Sequence, residues 1–309
     1  MIRKKKRYLL MVLVTITNFC SAQQDAQYTQ YMYNTMSVNP AYAGNKGGLN
    51  IVALYRNQWQ GLEGAPTTQT LALDTRLGSL RRLGVGVSLI NEKIGPTSET
   101  YFNIDVSYRI SVSEEGELSF GLKGVAHLLN VDFEKLNLFD IDDTSFNASI
   151  NNKFSPNVGI GIYYNTSKFY VGFSIPNLLE TDHFNGNQSL GEERINYYLI
   201  SGYVFDINED VKFKPALLTK LVLGTPLQID ISTNFMFYEK LTLGLAYRWS
   251  AAVSAILGYR ISNSLTLGFA YDRETTELGN IQFNSGSYEA MLRYELPKIN
   301  VRQLTPRFF

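Results

Sequence analysis

The sequence predicts an all-β fold, a transmembrane antiparallel β-barrel of about 14 strands with an N-terminal segment placed to plug it. Three observations carry this reading. From about residue 48 onward, apolar and polar residues alternate with period two, the mark of strands whose two faces meet different surroundings. The polar face is rich in Gly, Ser, Asn, Thr and isolated charges of both signs, not in the Lys and Glu of a water-facing sheet. The apolar face gathers aromatic residues near strand ends, as at Trp59, Tyr108, Tyr247 and Trp249, which suits lipid with aromatic girdles at its interfaces.

The first 22 residues read as a secretory signal. Arg3 to Arg7 are all basic, Tyr8 to Phe19 is a short apolar core, and Cys20-Ser21-Ala22 supplies small residues for cleavage before Gln23. The apolar stretch is too short to cross a bilayer comfortably. Thr17, where acylation of Cys20 would need an aliphatic residue, argues against a lipoprotein. The chain has 309 residues, with 28 basic and 28 acidic side chains. Cleavage would leave 23 basic against 28 acidic residues and no cysteine. That balance speaks against a nucleic-acid binder held by phosphate contacts. It also removes disulfide and thiol chemistry. Residues 23–47 then form a polar, Tyr- and Asn-rich stretch before the first strand, expected as a periplasmic or plug segment.

The barrel is expected over 48–296. In 101–110 the even positions are Phe102, Ile104, Val106, Tyr108 and Ile110, and the odd ones include Asn103, Asp105, Ser107 and Arg109. The same alternation returns at 227–237 and 287–296. Approximate strands fall at 48–59, 66–77, 83–91, 100–112, 117–128, 156–165, 168–175, 194–205, 211–221, 226–237, 240–249, 251–261, 264–272 and 286–296. Their connections alternate. Six short ones at 78–82, 113–116, 166–167, 206–210, 238–239 and 262–263 use tight-turn residues. Longer ones are expected at 60–65, 92–99, 129–155, 176–193 and 273–285. Short periplasmic turns opposite longer outer loops is the asymmetry of outer-membrane barrels. A weak repeat, Leu241 to Arg248 against Leu265 to Asp272, fits hairpin construction. Residues 297–309 are left as a periplasmic tail.

If the alternation holds, Arg56, Asp74, Arg76, Asp105, Arg109, Lys123, Asp230, Arg248, Arg260, Asp272, Glu289, Arg293 and Glu295 point into the lumen. Mixed signs there suggest a cross-strand polar network, not an ion filter. The lumen is expected to be filled by that network or by a plug drawn from 23–47, with the loops 129–155 and 176–193 as other candidates. Gly84, Gly86, Gly159, Gly161 and Gly172 are read as relief of crowding inside a curved sheet, close backbone approach being the alternative. The acidic run Asp140-Ile141-Asp142-Asp143 could hold calcium but lacks the full spacing of a known loop, and a solvated acidic loop is the preferred reading. His127, on a lumen face, and His183, in a loop, are the two histidines. No nucleophile or metal motif accompanies them. Neither catalysis nor a cofactor is expected.

A resemblance adds the biological system. Gln30-Tyr31-Met32-Tyr33-Asn34, then Asn39-Pro40-Ala41-Tyr42-Ala43-Gly44, Tyr55-Arg56-Asn57-Gln58-Trp59 and Gly64-Ala65-Pro66-Thr67-Thr68-Gln69-Thr70 resemble the PorP/SprF family of the Bacteroidetes type IX secretion system. Family members often end in Cys-Pro-Arg-Phe, where this chain has Thr305-Pro306-Arg307-Phe308-Phe309. The resemblance implies a non-enzymatic outer-membrane component, in contact with lipid. It would assist secretion or anchoring of large surface proteins such as gliding adhesins, engaging a secreted protein's C-terminal region and periplasmic parts of the machine. The alternative is a diffusion channel or hydrophobic-solute transporter. The segment around Asn39-Pro40 and Gly44 is expected to pack in or under the barrel.

Overall fold

The computed structural model describes residues 27–78, 82–133, 149–185 and 188–296. The expected signal segment 1–22, the run Asp140 to Asp143, the side chain of His183 and the expected tail 297–309 lie outside the described residues.

The first seven strands are β1 (Leu49–Asn57), β2 (Thr67–Leu77), β3 (Leu83–Ile94), β4 (Thr97–Ser111), β5 (Glu117–Val131), β6 (Ile150–Asn165) and β7 (Phe169–Ile175). A separate hairpin, β8 (Thr181–Asn185) and β9 (Gln188–Glu193), interrupts the series. The rest are β10 (Asn196–Tyr203) with its short continuation β11 (Phe205–Asp206), β12 (Val211–Val222), β13 (Gln228–Phe237), β14 (Leu241–Arg248), β15 (Ala252–Arg260), β16 (Leu265–Glu274) and β17 (Ser287–Leu296). Counting β10 and β11 as one stave, 14 antiparallel staves close into a barrel. The seam joins the first strand to the last, from Leu49 opposite Leu296 to Asn57 opposite Tyr288.

Burial is inverted relative to a water-soluble protein. On β4, Ile104 is 50% exposed and Asp105 is 0% exposed. The outward row of Phe102, Ile104, Val106 and Tyr108 faces lipid, so its apolar surface carries no desolvation cost. The inward row is polar because it meets other polar groups. Near one end, Tyr203, Phe205, Phe213, Phe235 and Phe237 stack along the outer wall with successive ring centroids 4.5 to 6.5 Å apart. This is one arc of the aromatic girdle.

The short turns all lie at that end, which in outer-membrane barrels faces the periplasm. Three predicted loops at the other end need correction. The expected loop 92–99 is strand almost throughout: β3 and β4 pair up to Ile94 opposite Thr97, joined only by Gly95-Pro96 with Gly95 at φ 54°. The expected loop 129–155 is strand at both of its ends, β5 running to Val131 and β6 beginning at Ile150. In both places the strands have left the lipid layer, so their outward side chains (Asn91, Lys93, Asn130, Asn152) no longer need to be apolar and the alternation fades. The segment 176–193, expected as a loop, carries the β8–β9 hairpin. The result is a lopsided barrel. β4, β5 and β6 have 15, 15 and 16 residues, whereas β14 and β15 have 8 and 9. At about 3.4 Å per residue this raises one wall by roughly 20 Å.

Candidate functional site: the filled lumen

The chain before β1 lies inside the barrel. Tyr28, Tyr31, Met32, Tyr33, Met36, Val38, Ala41, Tyr42 and Ala43 are all buried, and they form one apolar cluster with inward residues such as Val52, Leu54, Ile200 and Met291. Gln30, Asn34, Asn39 and Asn45 are equally buried. The path has two local structures. One helical turn, α1 (Thr35–Val38), ends at Asn39, whose extended backbone (φ −139°, ψ 110°) is what a following proline enforces. Pro40 then opens a 3-10 turn over Pro40–Tyr42, and the Asn39 side-chain oxygen accepts the Ala41 N–H at 2.9 Å. Gly44 and Gly47, at φ 68° and 80°, release the chain into β1.

Toward the outer end, charge holds the segment. The Arg56 guanidinium lies 2.6 Å from Asp272 and 3.1 Å from Glu289. It also donates to the Thr29 hydroxyl at 3.0 Å. That hydroxyl donates to Asp272 at 2.7 Å, while Glu289 accepts the N–H groups of Thr29 and Gln30 at 2.9 and 2.8 Å. Two buried carboxylates thus meet one guanidinium and three donors of the incoming chain. Such pairs are strong only when their remaining valences are filled.

Toward the periplasmic end, the wall grips main chain. Ser174 donates to Val38 O at 2.6 Å, Ser107 to Ala43 O at 2.7 Å, and Arg76 to Gly44 O and Asn45 O at 2.7 and 3.0 Å. Asp74 accepts the Gly44 N–H at 2.8 Å and the Asn50 amide at 2.7 Å. Lys123 stands 3.4 Å from Met36 O and 3.5 Å from Asp105. Asn39 donates to the carbonyls of Ile162 and Phe173 at 3.1 and 3.4 Å, on the adjoining strands β6 and β7. Tyr42 meets Tyr163 edge-on at 5.4 Å.

The glycines explain this contact. A methyl at Gly84 would strike the Ala43 carbonyl, one at Gly86 the Met36 sulfur, one at Gly121 the backbone of Pro40 and Ala41, and one at Gly161 the Asn39 side chain. Crowding in a curved sheet is therefore not the reason for Gly84, Gly86, Gly161 and Gly172. They make room for the N-terminal segment, and Gly159 does the same for Pro176. Gly121, Ser107 and Ser174 belong to the same trough but carry no chemical signature in the sequence. The one available sign was that several glycines share the lumen parity on neighbouring strands.

The other inward residues pair locally. Glu117 lies 3.3 Å from Arg76 and 3.4 Å from Arg109, Asp230 lies 2.9 Å from Arg248, and Glu295 lies 2.9 Å from Arg293. His127 is buried in the lumen, stacked 4.3 Å from Tyr101, with its Nε2 3.1 Å from Glu99.

Fold, burial and turn asymmetry define an outer-membrane β-barrel whose interior is filled by its own N-terminal chain. The chain belongs to the PorP/SprF family of type IX secretion system membrane proteins, matched over residues 20–294. That family implies contact with secretion-system components and cargo. No curated protein sequence matches the chain. Solved structures of similar shape include the Acinetobacter baumannii outer membrane protein Omp33 (8% identity, 81% of this chain and 98% of that one, TM-score 0.48). The Ralstonia pickettii toluene transporter TbuX is another (11% identity, 84% and 92%, TM-score 0.46). A third is a TodX monoaromatic hydrocarbon channel mutant (10% identity, 85% and 94%, TM-score 0.48).

Proposed function

We propose that this type IX secretion membrane protein works as a plugged, non-enzymatic scaffold. In this reading residues 27–47 are the plug, and the outer-end loops hold the C-terminal region of a large secreted surface protein, such as a gliding adhesin, during export or anchoring. One observation carries the reading. The lumen that a diffusion channel would need is occupied by a segment bonded to the wall at both ends, through Arg56, Asp272 and Glu289 on one side and Arg76, Ser107 and Asp74 on the other. A filled lumen leaves the rim and loops as the surfaces available for work, and periplasmic machine components would meet the opposite rim.

Planar-bilayer recording of the purified full chain tests this. The expected trace is closed, with at most brief openings. A steady large conductance with the N-terminal segment intact would favour a diffusion channel or solute transporter. Co-purification from native membranes supplies the second arm, where recovery of a large secreted surface protein in defined stoichiometry is expected.

A further inference from the structure

Lys240, Arg260 and Arg293 border a cavity of about 10 Å³ at the periplasmic end of the lumen, with Tyr33, Thr242 and Thr266 among its walls. The register puts the cations at one level, Lys240 just before β14, Arg260 on β15 and Arg293 on β17. Arg260 sits opposite Thr266 on β16, Thr266 sits opposite Arg293 on β17, and the Arg260 N–H donates to Lys240 O at 2.8 Å on the other side. With strands about 4.8 Å apart, the two arginine backbones are roughly 10 Å from each other.

Nearby carboxylates are already engaged. Glu239, which also borders the cavity, pairs with Lys212 at 3.0 Å, and Glu295 is shared between Arg293 at 2.9 Å and Lys46 at 3.5 Å. Among the described residues neither Arg260 nor Lys240 makes a salt bridge, and Arg260 feels the Glu295 carboxylate only at longer range. The Arg293 side chain is only 3% exposed, yet its Nε has no hydrogen-bond partner. A buried guanidinium N–H without an acceptor, beside two further cations that make no salt bridge, leaves an excess of positive charge around the cavity.

We propose that this cavity is a small-anion site, taking one oxygen- or halide-sized negative group. Two sources share that chemistry: a free anion such as chloride, and the carboxylate of a periplasmic protein's acidic side chain. The volume admits about one water-sized group, so a whole phosphate or sulfate does not fit. Tyr33 forms part of the wall, so an anion here touches the N-terminal segment directly. Occupancy then couples the periplasmic rim to the seating of the plug.

The test is thermal unfolding of the full chain in detergent, titrated with sodium chloride, with acetyl-Gly-Glu-Gly-amide, or with its Gln counterpart. Sodium isethionate, a bulky sulfonate salt, keeps ionic strength constant. A ligand that binds only the folded state raises the midpoint saturably. The midpoint is expected to rise with chloride, with the Glu peptide, or with both, and not with the Gln peptide. A rise with chloride alone assigns a free anion, and one with the Glu peptide assigns a partner carboxylate. Arg260→Gln should shift the half-maximal concentration at least tenfold. Lys240→Gln, at an exposed turn position where folding is not at stake, should weaken it in the same direction. A midpoint equally insensitive to chloride and the Glu peptide, or unchanged in its response by both substitutions, overturns the site. Neither result depends on whether the barrel conducts.

Discussion

The two walls of this barrel hold one segment by different physics. The short wall of β16, β17 and β1 binds residues 28–30 with a desolvated ion network centred on Arg56. The wall of β2 to β7, the tall wall because it contains β4, β5 and β6, binds residues 36–45 mainly by shape, with side chains deleted to glycine and with Ser107, Ser174, Arg76 and Asp74 bonded to main chain. The difference matters for function. Steric fit and main-chain bonds fail gradually when disturbed, whereas a buried ion cluster fails abruptly once one member is removed. The outer portion of the segment is therefore the part whose hold a single substitution can break, and the inner portion is held by many separate contacts. The sequence contains a single cysteine, Cys20, so in a Cys20→Ser background Tyr31→Cys and Ala43→Cys give clean thiol reporters for the two portions.

Arg56→Met should have the largest effect. It strands the Asp272 and Glu289 carboxylates in a lumen where both side chains are at most 1% exposed. Removing one partner of a buried ionic cluster costs about 3–5 kcal/mol. The urea unfolding midpoint should fall accordingly. The Tyr31→Cys reporter should become reactive to a membrane-impermeant maleimide while Ala43→Cys stays protected. Equal protection of both in the Arg56→Met background would mean that the two portions are not separable.

Gly121→Leu attacks the other wall. Its side chain would enter the backbone of Pro40 and Ala41, and overpacking of this kind costs about 1–3 kcal/mol. The reporter pattern should invert, with Ala43→Cys becoming reactive first. An unchanged pattern would show that the trough accommodates side chains and that its glycines serve another purpose.

The contrast also explains what could be read from the sequence. The staves were legible because each must present an apolar row to lipid and a polar row inward, as Phe102 to Tyr108 and Asn103 to Arg109 do on β4. Reading failed where that constraint ends. Glu92, Lys93, Asn151 and Asn152 lie in strands that stand clear of the lipid, and there polarity imitates a loop. The inward charges were placed by parity, but their partners were not, because Arg56 finds Asp272 across 216 residues through the closure of the seam. The N-terminal segment has no period at all. Its burial is written on the opposite surface, in Gly84, Gly86 and Gly161, and a glycine does not say what fills the space it leaves.

Asn39→Ala should have the smallest effect of the three and defines the comparison most finely. The substitution removes two bonds to the carbonyls of Ile162 and Phe173 and the cap on the Ala41 N–H. Those two residues face each other in the β6–β7 pairing, so their carbonyls stay within a strand ladder when the amide is gone. Only the Ala41 N–H loses a local partner, and loss of such a cap costs about 1 kcal/mol. The unfolding midpoint should drop slightly with both cysteine reporters still protected, because the glycine trough and Pro40 continue to fix the turn. Release of Ala43→Cys by this one substitution would mean that the tall wall, too, depends on a single polar contact, and the distinction between a charge-held outer portion and a shape-held inner one would fall.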